Sequence, residues 1–280
     1  MQSDKKLNLF INLGSALIGV VVLGYVGYSA WHTATEPPCS ERYPAPIRFG
    51  LQTAAGKALT PIELQARAGL RDVGVIDNAT VIAVNDGPSP DALEVKLRNL
   101  PGGDDAGAKA RNGIEFRWSP PGIGGATATC LAYSVWLPDK FDFGRGGFLP
   151  GVFGGDPSTV RQQAVNDPLT VALEWSFEGN PSLTAAAAGG ERLRLSGAGK
   201  AMATGRWTKV EQEVILNDPG QKNGTLRLWI DGELIAENQH VELRKDDKVM
   251  LTGVLAAVGY EETPPPDSLL RLSPIEIGRR

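Results

Sequence analysis

Hydrophobic positions divide the 280-residue chain into two regimes. From Asn8 to Trp31 no side chain is charged, and Leu, Ile, Val, Ala and Gly predominate. As a helix this stretch spans roughly 36 Å at ~1.5 Å per residue, enough to cross a hydrocarbon core of about 30 Å with some tilt. Lys5 and Lys6 precede it and Glu36 is the first charge after it. The positive-inside rule then predicts a cytoplasmic tail over 1–7, an anchor over 8–31 and the rest of the chain outside an inner or plasma membrane, periplasmic or extracellular. A cleaved signal peptide is the competing reading. Tyr28-Ser29-Ala30 puts a bulky residue where cleavage wants a small one, so the expectation is an uncleaved single-pass anchor.

Beyond the anchor, Thr33–Ile47 carries Pro37, Pro38, Pro44 and Pro46, and 32–47 reads as a semi-rigid linker. Thr60-Pro61-Ile62-Glu63 has the form of a capping box with Pro at the first helical position, predicting a short helix to about Leu70. From there the period is two. Thr80–Val84, Ala92–Leu97, Ile114–Trp118 and Thr127–Leu137 read as strands, with Asn85-Asp86-Gly87 and Gly102–Gly107 as breaks. The clearest hairpin spans Arg206–Glu237. Val210, Val214 and Leu216 share one parity, broken only by Gln212, while Leu226, Leu228 and Ile230 alternate with Thr225, Arg227 and Trp229. Asn217–Gly224 forms the loop and Ile230-Asp231-Gly232 the next turn. Ala185–Gly190 and Glu262–Asp267 read as loops. Alternation of this kind predicts an all-β sandwich over 48–280.

Composition sharpens the picture at a few points. The 34 Gly and 20 Pro are scattered as punctuation, which suits short strands joined by turns. A net charge of −4 argues against a nucleic-acid partner, though not against an anionic glycan met by a local basic patch. Cys39 and Cys130 are the only cysteines; in an oxidising compartment they are expected to pair, two buried free thiols being the alternative. His32 and His240 stand alone, so neither a metal site nor a cofactor is expected.

Residues 141–155 carry the most specific motif: Phe-Asp-Phe-Gly-Arg-Gly-Gly-Phe-Leu-Pro-Gly-Val-Phe-Gly-Gly. It resembles the Gly-Gly-Lys-Leu-Pro-Gly…Gly-Gly signature of polysaccharide lyase family 14, the jelly-roll alginate and glucuronan lyases. Tyr133–Leu137, Gly205-Arg206-Trp207, Glu211–Asn217, Asn223–Leu226 and Trp229–Gly232 extend the likeness from about Gly113 to the C-terminus. The resemblance implies a concanavalin-like jelly roll. It also implies β-elimination on uronates, in which a base takes the proton beside the carboxylate and donors stabilise the enolate.

At the position of the family's lysine this chain has Phe148. Aligned on Trp175, the family's Ser-x-Arg-x-x-Trp strand meets Thr170 and Ala172, its paired tyrosines meet Thr184 and Ala186, and its Phe-Phe-Gly-Gly segment meets Ala257-Val258-Gly259-Tyr260. None of Phe, Thr and Ala takes a proton from carbon at neutral pH, so no catalytic residue is expected. Lys140, Arg145, Asp142 and Glu174 flank these positions as solvated charges. Candidate glycan-binding residues are Tyr133, Arg145, Phe148, Trp175, Arg192, Arg194, Trp207 and Tyr260. Three functions follow. The first is a catalytically silent lyase relative holding an acidic polysaccharide outside the membrane. The second is a structural subunit whose partners are other membrane proteins, and the third an active lyase using displaced residues.

Overall fold

The computed structural model describes residues 18–28, 36–69, 72–98, 112–155, 169–187, 192–197, 201–262, 264–266 and 268–280. The chain divides into residues 1–37 and 38–280. In the first unit residues 18–28 are helical, and apolar side chains such as Ile18, Val21 and Leu23 are exposed. No helix among the described residues is long and apolar enough to cross a membrane. The remainder of the expected anchor, 8–17 and 29–31, lies outside the described residues, as does the tail 1–7.

The second unit is mostly β. Its strands run in chain order β1 (Ile47–Phe49), β2 (Asp72–Val73), β3 (Ala79–Ala83), β4 (Asp91–Lys96), β5 (Ile114–Trp118) and β6 (Ala128–Trp136). Then come β7 (Gly147–Gly154), β8 (Leu169–Trp175), β9 (Pro181–Ala186), β10 (Arg192–Ser196) and β11 (Trp207–Ile215). The chain closes with β12 (Gly224–Ile230), β13 (Glu233–Val241), β14 (Leu251–Tyr260), β15 (Leu269–Leu272) and β16 (Ile275–Arg279). A seven-stranded sheet has the order β10-β9-β8-β7-β14-β5-β2. A nine-stranded sheet runs β13-β12-β11-β6-β15-β4-β3, with β16 joined to β6 and β1 to β16. All pairings are antiparallel among the described residues.

Local chemistry accounts for the element ends. Helix α1 (Pro61–Arg67) begins in the expected capping box, in which Thr60 Oγ1 accepts from the Glu63 amide and Glu63 accepts from the Thr60 amide. The β12–β13 turn places Asp231 at φ 51° and Gly232 at φ 81°, the doubly left-handed pair that a tight hairpin requires. A second short helix, α2 (Val75–Asn78), leads into β3.

The two sheets bury their facing side chains as one core. Leu149, Val152, Val171, Leu173, Leu183, Val254 and Val258 come from one sheet, and Leu131, Val135, Val210, Val214, Leu226, Leu228 and Ile277 from the other. Burying each such side chain stabilises the fold by about 1.5–3 kcal/mol before chain entropy is counted. Gln212, the polar break in the β11 alternation, also faces inward and is fully buried. Its Nε2 donates to the Pro150 carbonyl at 2.7 Å and to Tyr133 Oη at 3.3 Å, linking the sheets at Leu149-Pro150-Gly151, an irregular stretch within β7.

The polar parity of β11 and β12 is not left to water. Residues 38–46 cross the outer face of the nine-stranded sheet, fixed by a disulfide between Cys39 and Cys130 with Cα atoms 5.7 Å apart. Cys39, Tyr43, Ala128, Cys130 and Trp229 form a second small core there. Beneath this strap Glu213 accepts from Tyr43 Oη at 2.8 Å, Arg42 at 2.9 Å and Arg227 at 2.7 Å. Burial alone would lower the Arg227 pKa, but its hydrogen bonds to Glu213 and Glu237 raise it. Part of the segment read as a spacer is therefore packed into the domain: Cys39 and Tyr43 are buried because the sheet offers them an apolar floor and a carboxylate. The stretch Ala185–Gly190, read as a loop, begins inside a strand, since Ala185 and Ala186 close β9.

Candidate functional site

Residues opposed in an antiparallel pair point to the same side of the sheet. In the seven-stranded sheet Leu169, Val171, Leu173 and Trp175 turn inward and Thr170, Ala172 and Glu174 outward. Three rows cross the outer face from the β7 side to β10. Phe148, Glu174, Ser182 and Ser196 form the first, and Ala172, Thr184 and Arg194 the second, facing the irregularity between Leu149 and Val152. The third is Phe153, Thr170, Ala186 and Arg192. The five positions aligned with the family's site residues, namely Phe148, Thr170, Ala172, Thr184 and Ala186, therefore share one face.

The glycines of the motif serve this arrangement. A Cβ on Gly151 would meet the Val171 carbonyl and Ala172 Cα, so only glycine lets β7 approach β8 at the irregularity. Phe148 is opposed to Gly259 on β14, and a Cβ there would sit 3.1 Å from Phe148 Cζ. The phenyl ring thus lies down over the neighbouring strand. Arg117 from β5 reaches the ring of the buried Phe153, 5.6 Å from its centroid.

On this face the described strand residues include no lysine, histidine or tyrosine. Their titratable side chains are Glu115, Arg117, Glu174, Arg192 and Arg194. Guanidinium groups bind and orient the carboxylates of acidic sugars well, and a guanidinium makes a poor base. Glu174, directly opposite Phe148, is the nearest carboxylate in register.

Of the candidate glycan residues, Phe148, Arg192 and Arg194 lie on this face. Tyr133, Trp175 and Tyr260 do not, because their rings complete the core. Tyr133 is 3 % exposed and donates to the Pro150 carbonyl at 3.1 Å; burial pushes its pKa far up. Trp175 donates through Nε1 to the Phe143 carbonyl, in an aromatic cluster with Phe141 and Tyr260. The Tyr260 hydroxyl donates to the Asp142 carbonyl, and burial is the main cause of its pKa rising to about 12. Trp207 opposes Trp136 in the other sheet. Arg145 precedes β7 and pairs with Glu262 at 3.4 Å. Cys39 and Cys130 form the expected disulfide.

Arg194 and six residues that the sequence did not single out form a pocket of ≈ 250 Å³ at the β9–β10 edge. It is lined by Ser176, Asn180, Pro181, Ser182, Arg194, Ser196 and Gly197. Phe177, in the same turn, is 68 % exposed. An aromatic between polar turn residues, Ser-Phe-Glu-Gly-Asn, was the available signal. Among the described residues the one group with metal-ligand spacing is Cys39, Cys130 and Glu211, whose sulfurs are joined to each other and so hold no thiolate.

Solved structures similar to this one include polysaccharide lyases. The marine PL-14 alginate lyase from Aplysia kurodai superposes with a TM-score of 0.60 at 20 % identity, over 75 % of this chain and 89 % of that one. Alginate lyase vAL-1 from Chlorella virus gives 0.61 at 13 %, over 78 % and 97 %. The endo-beta-1,4-glucuronan lyase of the fungus Trichoderma reesei gives 0.54 at 11 %, over 72 % and 87 %. No curated protein matches the sequence. The family model for polysaccharide lyase 14 matches residues 89–183 and 196–260, together more than half of the chain. This protein belongs to the polysaccharide lyase 14 family.

Proposed function

We propose that the protein holds an acidic polysaccharide on the outer face of its seven-stranded sheet without cleaving it, in a domain tethered outside a membrane by its N-terminal helix. One observation carries the first part: the phenyl ring of Phe148 covers Gly259 in strands whose outward side chains include no lysine, histidine or tyrosine. Elimination from a uronate needs a base poised at the proton beside the carboxylate. Arg192 and Arg194 still supply positive charge for a polyanion, and Ser182 and Ser196 line a pocket beside Arg194. The tether is supported by the uncharged run Asn8–Trp31 and by the exposed apolar helix at 18–28.

Affinity electrophoresis tests the binding. Full-length protein run through gels containing alginate or glucuronan is expected to be retarded relative to a gel containing dextran. Equal mobility in all three contradicts the proposal. Fractionation tests the tether: the protein is expected to stay with membranes after an alkaline carbonate wash, and release into the wash overturns that part.

A further inference from the structure

We infer that the pocket at the β8–β9 turn and β10 is a subsite for a carboxylated sugar residue, with Arg194 as partner of the carboxylate and Phe177 as a stacking face. The inference rests on the proposed polysaccharide binding and adds where on the sheet, and to which chemistry, the polymer is anchored.

Arg194 is the first reason. Leu193 and Leu195 pack against the core, which turns Arg192, Arg194 and Ser196 outward. Arg194 Nε donates to Ser182 Oγ at 3.1 Å, which fixes the orientation of the guanidinium. Its terminal nitrogens meet no carboxylate among the described residues. Arg42, Arg206, Arg227 and Arg271 by contrast each meet one at 2.7–3.1 Å. A guanidinium fork held by a neighbour and left without an acid matches the planar, two-oxygen geometry of a carboxylate.

The lining is the second reason. Around Arg194 stand Ser176, Ser182 and Ser196, short side chains whose hydroxyls both donate and accept, as sugar hydroxyls do. No acidic residue lines the pocket. Glu178, outside the lining, accepts from Asn180 Nδ2 at 3.1 Å.

Phe177 is the third. The turn that carries it is fixed from several sides. The Gly179 amide donates to the Ser176 carbonyl at 2.8 Å, the Asn180 amide to Ser176 Oγ at 3.2 Å, and the Met202 amide to the Gly179 carbonyl at 2.9 Å. A Cβ on Gly179 would sit 2.6 Å from the Phe143 ring, so the turn is also packed from below. A rigid turn between two pocket-lining residues thus presents an exposed aromatic face. A pyranose offers an apolar face for such a ring and hydroxyls for the serines. A free carboxylate would leave Phe177 unused, and a neutral sugar would leave Arg194 unanswered.

Placement agrees with a polymer. Ser182 and Ser196 end the row that starts at Phe148, and strands about 4.8 Å apart put the pocket roughly 10–15 Å from that ring. A chain lying across the strands from Phe148 reaches it within a few sugar units.

Isothermal titration of the full-length protein with tetraglucuronate, tetramannuronate and cellotetraose, the neutral counterpart, tests this. Arg194→Gln and Phe177→Ala alter exposed side chains, and melting temperatures check that both variants fold. Arg206→Gln, which removes the same charge at a residue paired with Asp231, is the control. The wild type is expected to bind an acidic tetrasaccharide in preference to cellotetraose. Arg194→Gln is expected to raise the Kd at least about tenfold, or about 1.4 kcal/mol. Phe177→Ala is expected to raise it several-fold, and Arg206→Gln to leave it unchanged. Tight acidic binding that Arg194→Gln does not weaken overturns the subsite and leaves the polysaccharide reading standing. Failure of the wild type to bind either acidic probe overturns both.

Discussion

Glu213 has no solvent and three hydrogen-bond donors: the Tyr43 hydroxyl and the guanidinium groups of Arg42 and Arg227. Desolvating a carboxylate is costly, and its partners offset that cost only while all are in place. Glu213→Ala leaves two cations facing each other across a buried gap. It is expected to destabilise the domain by about 3–5 kcal/mol, the range for breaking a buried ion pair. Tyr43→Phe removes one donor and keeps both cations, for a loss of about 1 kcal/mol. Urea denaturation of the two variants checks the ratio; equal losses would contradict this account of the network. Little of it was legible beforehand. Glu211, Glu213 and Arg227 sit on the polar parity of their strands and read as a solvated face, because nothing in their spacing announces that Cys39–Tyr43 will cover them. Gln212 was the opposite case. Its break in an apolar parity was plain, and its use, donating to the Pro150 carbonyl, depends on a strand irregularity 62 positions away.

At the level of elements, the strap and the β7–β8 contact decide how firmly the candidate face is held. The disulfide closes a separation of 91 residues. In the chain-entropy model a loop of this length is worth about 4–5 kcal/mol, an upper bound. Adding a thiol reductant, or making Cys130→Ser, is therefore expected to lower the melting temperature by many degrees while leaving the far-ultraviolet β signal intact at low temperature. An unchanged melting temperature under reduction would contradict a stabilising strap. Gly151→Ala sets a methyl against the Val171 carbonyl and is expected to cost about 1–3 kcal/mol by overpacking. Chemical denaturation reads it, and a neutral result would mean that β7 can shift without loss. Strands with clean alternation, such as β4, β5 and β12, were visible in the sequence, as was α1 through its capping box. β9 was not. Its Ala185 and Ala186 carry no β preference, and what makes them a strand is pairing with β8 and β10, a long-range cause that local composition does not encode.

For the molecule as a whole, the glycine-rich motif made the family legible, and the register brings its Phe148 onto one face with Thr170, Ala172, Thr184 and Ala186, the other positions aligned with the family. The aromatic candidates were less legible. Tyr133, Trp175 and Tyr260 look alike in sequence whether they line a groove or fill a core, and only strand parity separates the two. Their burial has a consequence in alkali. Burial is the main cause of the raised pKa of Tyr43, Tyr133 and Tyr260, the last to about 12 from an ordinary 10.0. The unfolded chain loses these protons near pH 10 and the folded one does not. The stability this represents is complete below pH 10 and falls as pH rises from there to about 12 and beyond. Melting temperature measured from pH 8 to 12 is expected to drop above 10, and Tyr260→Phe to flatten part of the drop; a flat profile in the wild type would contradict it. The central claim, a lyase frame that binds and does not cut, is tested most directly by incubating full-length protein with alginate and with glucuronan and following the ultraviolet absorbance of unsaturated uronates. No rise above buffer is predicted for either polymer. A steady rise, lost in Glu174→Gln, would contradict the claim and identify the carboxylate facing Phe148 as the base.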